Sequence, residues 1–306
     1  MSNLRAEWKH FSSPSGKAEG RLIHAENPSG DLIVYVPGFP GGGATLYETH
    51  FAKFLGEQEY FQIVLRHNGT LLNGAHSDVL LNREMFRNAV PHHDGEFIGQ
   101  APSSIAEWLV EPKVVLESIG GEYTNITLIG HSFGCLAALY SLVLMAEEGK
   151  RLIERVRSCV CMAPAIGLIK DHADDVMTTI WSEGFLSSES IWDRIALNGV
   201  ENIRADLLRA YTDLPERVSS NLQQIHKVFI HAERDEYLKH EDVEEFMLGC
   251  GVNSQFVIDK FERHDPRMEY DAHDMPNFPQ QILLDLIEGR YEHHRYSQSS
   301  DGFILE

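Results

Sequence analysis

Gly130-His131-Ser132-Phe133-Gly134 is the stretch with the clearest chemical meaning in this 306-residue sequence. Its pattern is G-x-S-x-G. The residues before it, Ile126-Thr127-Leu128-Ile129, are short, apolar and partly β-branched, and read as a buried strand. Those after it, from Cys135 to Ala146, are nearly all good helix formers and stop at Gly149. A serine at such a strand-to-helix turn is strained, with its hydroxyl presented outward. Side chains at positions 130 and 134 would keep helix and strand apart, so both are glycine. Phe133 then holds a backbone N–H at the positive end of a helix, where negative charge on an oxygen is stabilised.

A serine hydroxyl is a weak nucleophile at neutral pH. It needs a histidine base, and the histidine needs a carboxylate to fix its tautomer. The chain offers both, in the order serine, acid, histidine. Asp235 follows the predicted strand 228–231 in Ala232-Glu233-Arg234-Asp235, with Glu233 the competing acid. His273 lies just ahead of the last predicted helix, in Asp271-Ala272-His273-Asp274, with His264 the competing base. His264 sits in a charged run that reads as a solvated face. There are 16 histidines, so residue type alone selects neither. Pro37-Gly38-Phe39-Pro40-Gly41-Gly42-Gly43 follows another strong strand, 32–36, and turns with exposed backbone donors. Phe39 is the best second N–H for an oxyanion there, since Pro40 has none to give.

These residues need a scaffold that brings strand ends to one rim. Eight strands are expected, at 7–13, 21–26, 32–36, 61–66, 126–129, 156–162, 228–231 and 255–258. Helices are expected at 45–58, opening with a Thr45-x-x-Glu48 capping box, then at 105–119 around Pro112, and at 135–148, 240–248 and 279–289. Such alternation implies a mostly parallel sheet with helices on both faces. Two segments interrupt it. Residues 67–102 are long, polar and rich in Gly and His, a length usual for functional loops. Residues 166–225 carry no strand pattern but many large apolar groups. Among these, Trp181, Phe185 and Trp192 are expected to line a substrate site beneath a helical lid, the competing reading being an ordinary helical subdomain with its own core.

In these respects the sequence resembles the α/β-hydrolase superfamily over residues 20–290. The matching features, in order, are the Gly-Phe-Pro-Gly turn, the Gly-His-Ser-Phe-Gly elbow, Ala-Glu-Arg-Asp and Ala-His-Asp. Pro37 departs from the pattern, because many members have histidine before the glycine. The resemblance implies an eight-stranded, mostly parallel sheet formed by residues 1–165 and 226–292. It also implies a helical cap at 166–225, and leaves 293–306 as a flexible tail. The activity implied is hydrolysis of an ester or related acyl bond of a small to medium apolar substrate, by Ser132, Asp235 and His273 with the Phe39 and Phe133 amides. Acyl transfer, thioester cleavage, carbon–carbon bond hydrolysis and non-catalytic ligand binding are the competing readings, since one fold hosts many functions.

Bulk properties narrow the partners. A net charge of −20 opposes binding to nucleic acid or an anionic membrane surface. No nucleotide-binding glycine motif is present, and His92-His93-Asp94 and His293-His294 lack metal-ligand spacing, so no cofactor is expected. The longest apolar run, 133–146, is too short to span a bilayer. Four scattered cysteines suggest buried thiols in a reducing compartment, the cytoplasm. Oligomeric state is not legible.

Overall fold

A computed structural model describes residues 4–39, 47–71, 95–166, 193–198, 202–232, 235, 237–261, 273, 275, 278–290, 295–299 and 302–305. Its centre is one twisted sheet. The strands are β1 (Arg5–Ser13), β2 (Gly16–His24), β3 (Asp31–Val36), β4 (Phe61–Arg66), β5 (Asn125–His131), β6 (Val156–Met162), β7 (His226–Ala232), β8 (Ser254–Phe261), β9 (Arg295–Ser299) and β10 (Gly302–Leu305). They lie in the order β1-β2-β4-β3-β5-β6-β7-β8-β9-β10. The seven strands from β4 to β9 in this order run parallel, while β1, β2 and β10 pair antiparallel at the two edges.

All eight expected strands are present, but the described residues form ten. The difference is the 293–306 segment, expected as a flexible tail. Its described residues form an antiparallel pair that extends the sheet beyond β8. Arg295-Tyr296-Ser297-Gln298-Ser299 is polar apart from Tyr296, so it gives no alternating apolar signal.

The helices are α1 (Lys53–Glu57), α2 (Glu111–Ile119), α3 (Phe133–Glu147), α4 (Ile203–Tyr211), α5 (Leu214–Asn221), α6 (His240–Gly249) and α7 (Gln280–Ile287). Pro112 divides the expected 105–119 helix: a 3-10 turn, Ile105–Val110, precedes it, and α2 begins with the proline in its first turn. Thr45 lies outside the described residues. Both Glu48 oxygens accept from buried arginines, Arg21 at 2.7 Å and Arg66 at 3.0 Å.

Helix α3 is apolar nearly all round because it is covered nearly all round. One side packs on β3, β5 and β6, and the other on α2, α5 and the 3-10 turn. The core runs from Ile33 and Ile63 through Leu128 and Leu139 to Phe229, all inaccessible to solvent. Within the 166–225 segment, α4 and α5 join this core through Leu207, Tyr211, Leu214 and Val218. The four cysteines are buried and none forms a disulfide. No described helix is long and apolar enough to cross a membrane.

Candidate active site

The chain winds from β3 to β4 on one side, then crosses back to place β5 on the other side of β3. The loops leaving β3 and β5 therefore diverge. A crevice opens between them at the carboxyl ends of the strands, where ligands bind in open α/β sheets. Register keeps those ends level: Val36 pairs with Gly130, and Gly130 with Cys161.

Ser132 occupies the turn between β5 and α3 with φ 52° and ψ −119°. A non-glycine residue held there costs on the order of 1–3 kcal/mol. Backbone bonds compel it: the Ser132 N–H donates to Met162 O at 2.8 Å, and Ser132 O accepts from the Cys135 and Ala165 amides. Its side chain makes no capping bond to the helix. The two glycines have the steric role read from the sequence. A Cβ on Gly130 would lie 2.5 Å from the Cys135 backbone, and one on Gly134 would lie 2.1 Å from Val36 O. The 37–39 turn passes close by, since a Cβ on Gly38 would meet Ser132 Cβ at 3.0 Å.

Asp235 and His273 are brought together from segments 38 residues apart, with His273 Nδ1 donating to Asp235 Oδ2 at 2.8 Å. The other carboxylate oxygen accepts the Tyr237 and Leu238 amides at 2.8 and 2.9 Å. Burial alone would raise this carboxyl. The His273 ring and the amide bonds outweigh it, and the net result lies below the usual carboxylate range. Asp235 thus stays ionised while its side chain is fully buried.

His131, next to the serine, ties the two halves of the site. Its Nε2 lies 3.0 Å from His273 O, and because a carbonyl only accepts, Nε2 carries the proton. Burial first, and the nearby His273 ring second, push its pKa down to about 4, so the ring is neutral. Behind Asp235, buried His231 is likewise held down at about 4, chiefly by burial.

Phe39 and Phe133 both lie at the rim, Phe133 as the first residue of α3. Trp181, Phe185, Trp192, Glu233, His264, the 41–43 glycines and His92-His93-Asp94 lie outside the described residues. Among the described residues, no group of three or more His, Cys, Asp or Glu side chains is placed to hold a metal ion. One buried pair at the same rim was not anticipated from the sequence. His67, the first residue past β4, contacts Glu111 at 2.6 Å and the Pro37 carbonyl at 3.0 Å. A histidine opening a long polar loop was its only signal.

The described residues form an α/β-hydrolase-type fold. Three solved structures illustrate the likeness. An esterase of Pyrococcus furiosus matches with TM-score 0.55 and 12% identity, over 94% of this chain and 90% of its own. A Pyrobaculum calidifontis esterase matches with TM-score 0.55 and 13% identity, over 93% and 85%. The thioesterase domain of the curacin biosynthetic pathway matches with TM-score 0.54 and 12% identity, over 92% and 99%. No protein-family model matches the sequence, and no curated protein matches it significantly.

Proposed function

We propose that the protein is a serine hydrolase that cleaves an ester or related acyl bond of a small to medium apolar substrate. The observation that carries this reading is the Asp235–His273 hydrogen bond, tethered beside strained Ser132 through His131. With His273 Nδ1 committed to Asp235, Nε2 is the nitrogen that takes the Ser132 proton as the hydroxyl oxygen attacks the carbonyl carbon. The Asp235 carboxylate stabilises the imidazolium so formed. The Phe39 and Phe133 amides hold the oxyanion of the tetrahedral intermediate. His273 then returns its proton to the leaving group, and water attacks the acyl-enzyme with His273 again acting as base.

In this reading the cap is the part of residues 166–225 ahead of α4, since α4 and α5 pack on the core, and Trp181, Phe185 and Trp192 line an apolar acyl pocket. The four buried, unbridged thiols support residence in the cytoplasm. Esterase structures among the similar folds support ester cleavage. The thioesterase domain among them supports thioester cleavage as the second reading, because the same groups serve both leaving atoms.

A panel of p-nitrophenyl esters from acetyl to dodecanoyl, run beside the matching acyl thioesters, tests the proposal. Turnover with a maximum at intermediate chain length, lost in Ser132→Ala and His273→Ala, supports it. Turnover that persists in Ser132→Ala overturns it. Loss in a His264→Ala variant with full activity in His273→Ala would move the base to His264.

A further inference from the structure

We propose that His67 and Glu111 form a second histidine–carboxylate pair, and that its work is to position the 37–39 turn against the Ser132 elbow so that both oxyanion donors stay aimed at one point. This deepens, and rests on, the serine hydrolase reading.

Strand β3 ends at Val36, so the Pro37 carbonyl lies past the last paired residue of the strand. It is close to α3, since a Cβ on Gly134 would lie 2.6 Å from it. His67 Nε2 meets it at 3.0 Å. A carbonyl only accepts, so Nε2 bears hydrogen and the ring's orientation is set. At the other nitrogen, Nδ1 lies 2.6 Å from Glu111 Oε2, while Glu111 Oε1 accepts the Asn68 amide at 2.8 Å. One proton lies between Nδ1 and Oε2. Burial raises Glu111 above the usual carboxylate range, with the His67 ring partly offsetting it, so the pair retains that proton.

The same histidine organises the rings of the two donor residues. Trp108 stacks on His67 with centroids 4.5 Å apart and planes 10° apart. The Phe133 ring stands edge-on to both, at 5.6 Å from His67 and 6.0 Å from Trp108. The Phe39 ring meets Trp108 at 5.8 Å. Phe39 and Phe133, whose backbone amides are the proposed oxyanion donors, therefore rest their side chains on one platform that the pair anchors. Stability alone does not account for such a pair. Both groups are fully desolvated, and an apolar pair of similar volume is often as stable or more so.

The test uses p-nitrophenyl butyrate turnover together with inhibition by an alkyl trifluoromethyl ketone, whose adduct on a serine carries an oxyanion. Removing the grip in His67→Phe is expected to lower kcat by about 10- to 100-fold with KM within about threefold. Ketone affinity is expected to fall by a similar factor. His67→Gln keeps an N–H for the Pro37 carbonyl and is expected to restore kcat to within about fivefold of the parent. If His67→Phe does not fold, Glu111→Gln and Glu111→Leu give the same contrast. The glutamine can donate to Nδ1 and preserve the Nε2–H tautomer, whereas the leucine cannot. Unchanged kcat in folded His67→Phe, or equal kcat in Glu111→Gln and Glu111→Leu, overturns the inference while leaving the hydrolase reading intact. A wild-type protein that neither turns over an ester or thioester nor reacts with the ketone removes the hydrolase reading, and this inference with it.

Discussion

Three histidines around one serine rim do different work, and burial and partner decide which. His273, partly open and bonded to buried Asp235, is the proposed base. His131 is buried and neutral, and it holds the His273 backbone rather than a proton in flight. His67 bridges Glu111 and Pro37. Asp235→Asn tests the first role. The amide keeps the shape but stabilises no imidazolium, so kcat is expected to fall by roughly 10³- to 10⁴-fold with little change in KM, read by steady-state ester kinetics. Ser132, Asp235 and His273 could be nominated from the sequence because each has a local signal: a glycine-framed turn, an acid past a strand end, a histidine ahead of a helix. The His67–Glu111 pair was not. Its members are 44 residues apart, and only the crossover of β4 and α2 against the head of β3 brings them together.

At the scale of elements, the elbow is a packing problem before it is a chemical one. Gly134 lets α3 press against the end of β3, with no room for a methyl group. Gly134→Ala is expected to lower stability by about 1–3 kcal/mol by denaturant unfolding, and to abolish turnover as the helix shifts from Val36 and Pro37. Gly149→Ala is the contrast. Nothing lies within 4 Å of its added Cβ, so only the strain of φ 67° remains. That costs about 1 kcal/mol and leaves kcat unchanged. Most elements were legible because their patterns are local and periodic. The C-terminal pair β9–β10 was missed because β9 is mostly polar and β10 spans only four residues; β9 is a strand through its pairing with β8, and β10 through its pairing with β9. Truncation after residue 290 uncovers the β8 edge, and light scattering is expected to show more self-association than the full chain under the same conditions.

For the whole molecule, the buried histidines set the acid limit of stability. His131 and His231 are held at about 4 in the folded protein, against about 6.5 when exposed in the unfolded chain. Between these values the unfolded state binds more protons, so stability falls as pH drops from about 6.5 to 4. The loss is on the order of 3 kcal/mol for each ring. Asp235, whose carboxyl is depressed, contributes nothing to this window, because its stabilisation is lost only below the ordinary carboxylate range. Thermal unfolding from pH 7.5 to 4.5 is expected to show a falling Tm, and a smaller fall in His231→Phe.

The proposed chemistry requires one activated serine at the carboxyl end of β5. Incubation with a fluorophosphonate, followed by peptide mapping of the adduct by mass spectrometry, addresses it most directly. The predicted result is a single stoichiometric adduct on Ser132, formed by the wild type and absent from Ser132→Ala. An adduct on any other residue, or no adduct on the folded wild-type protein, would contradict the account.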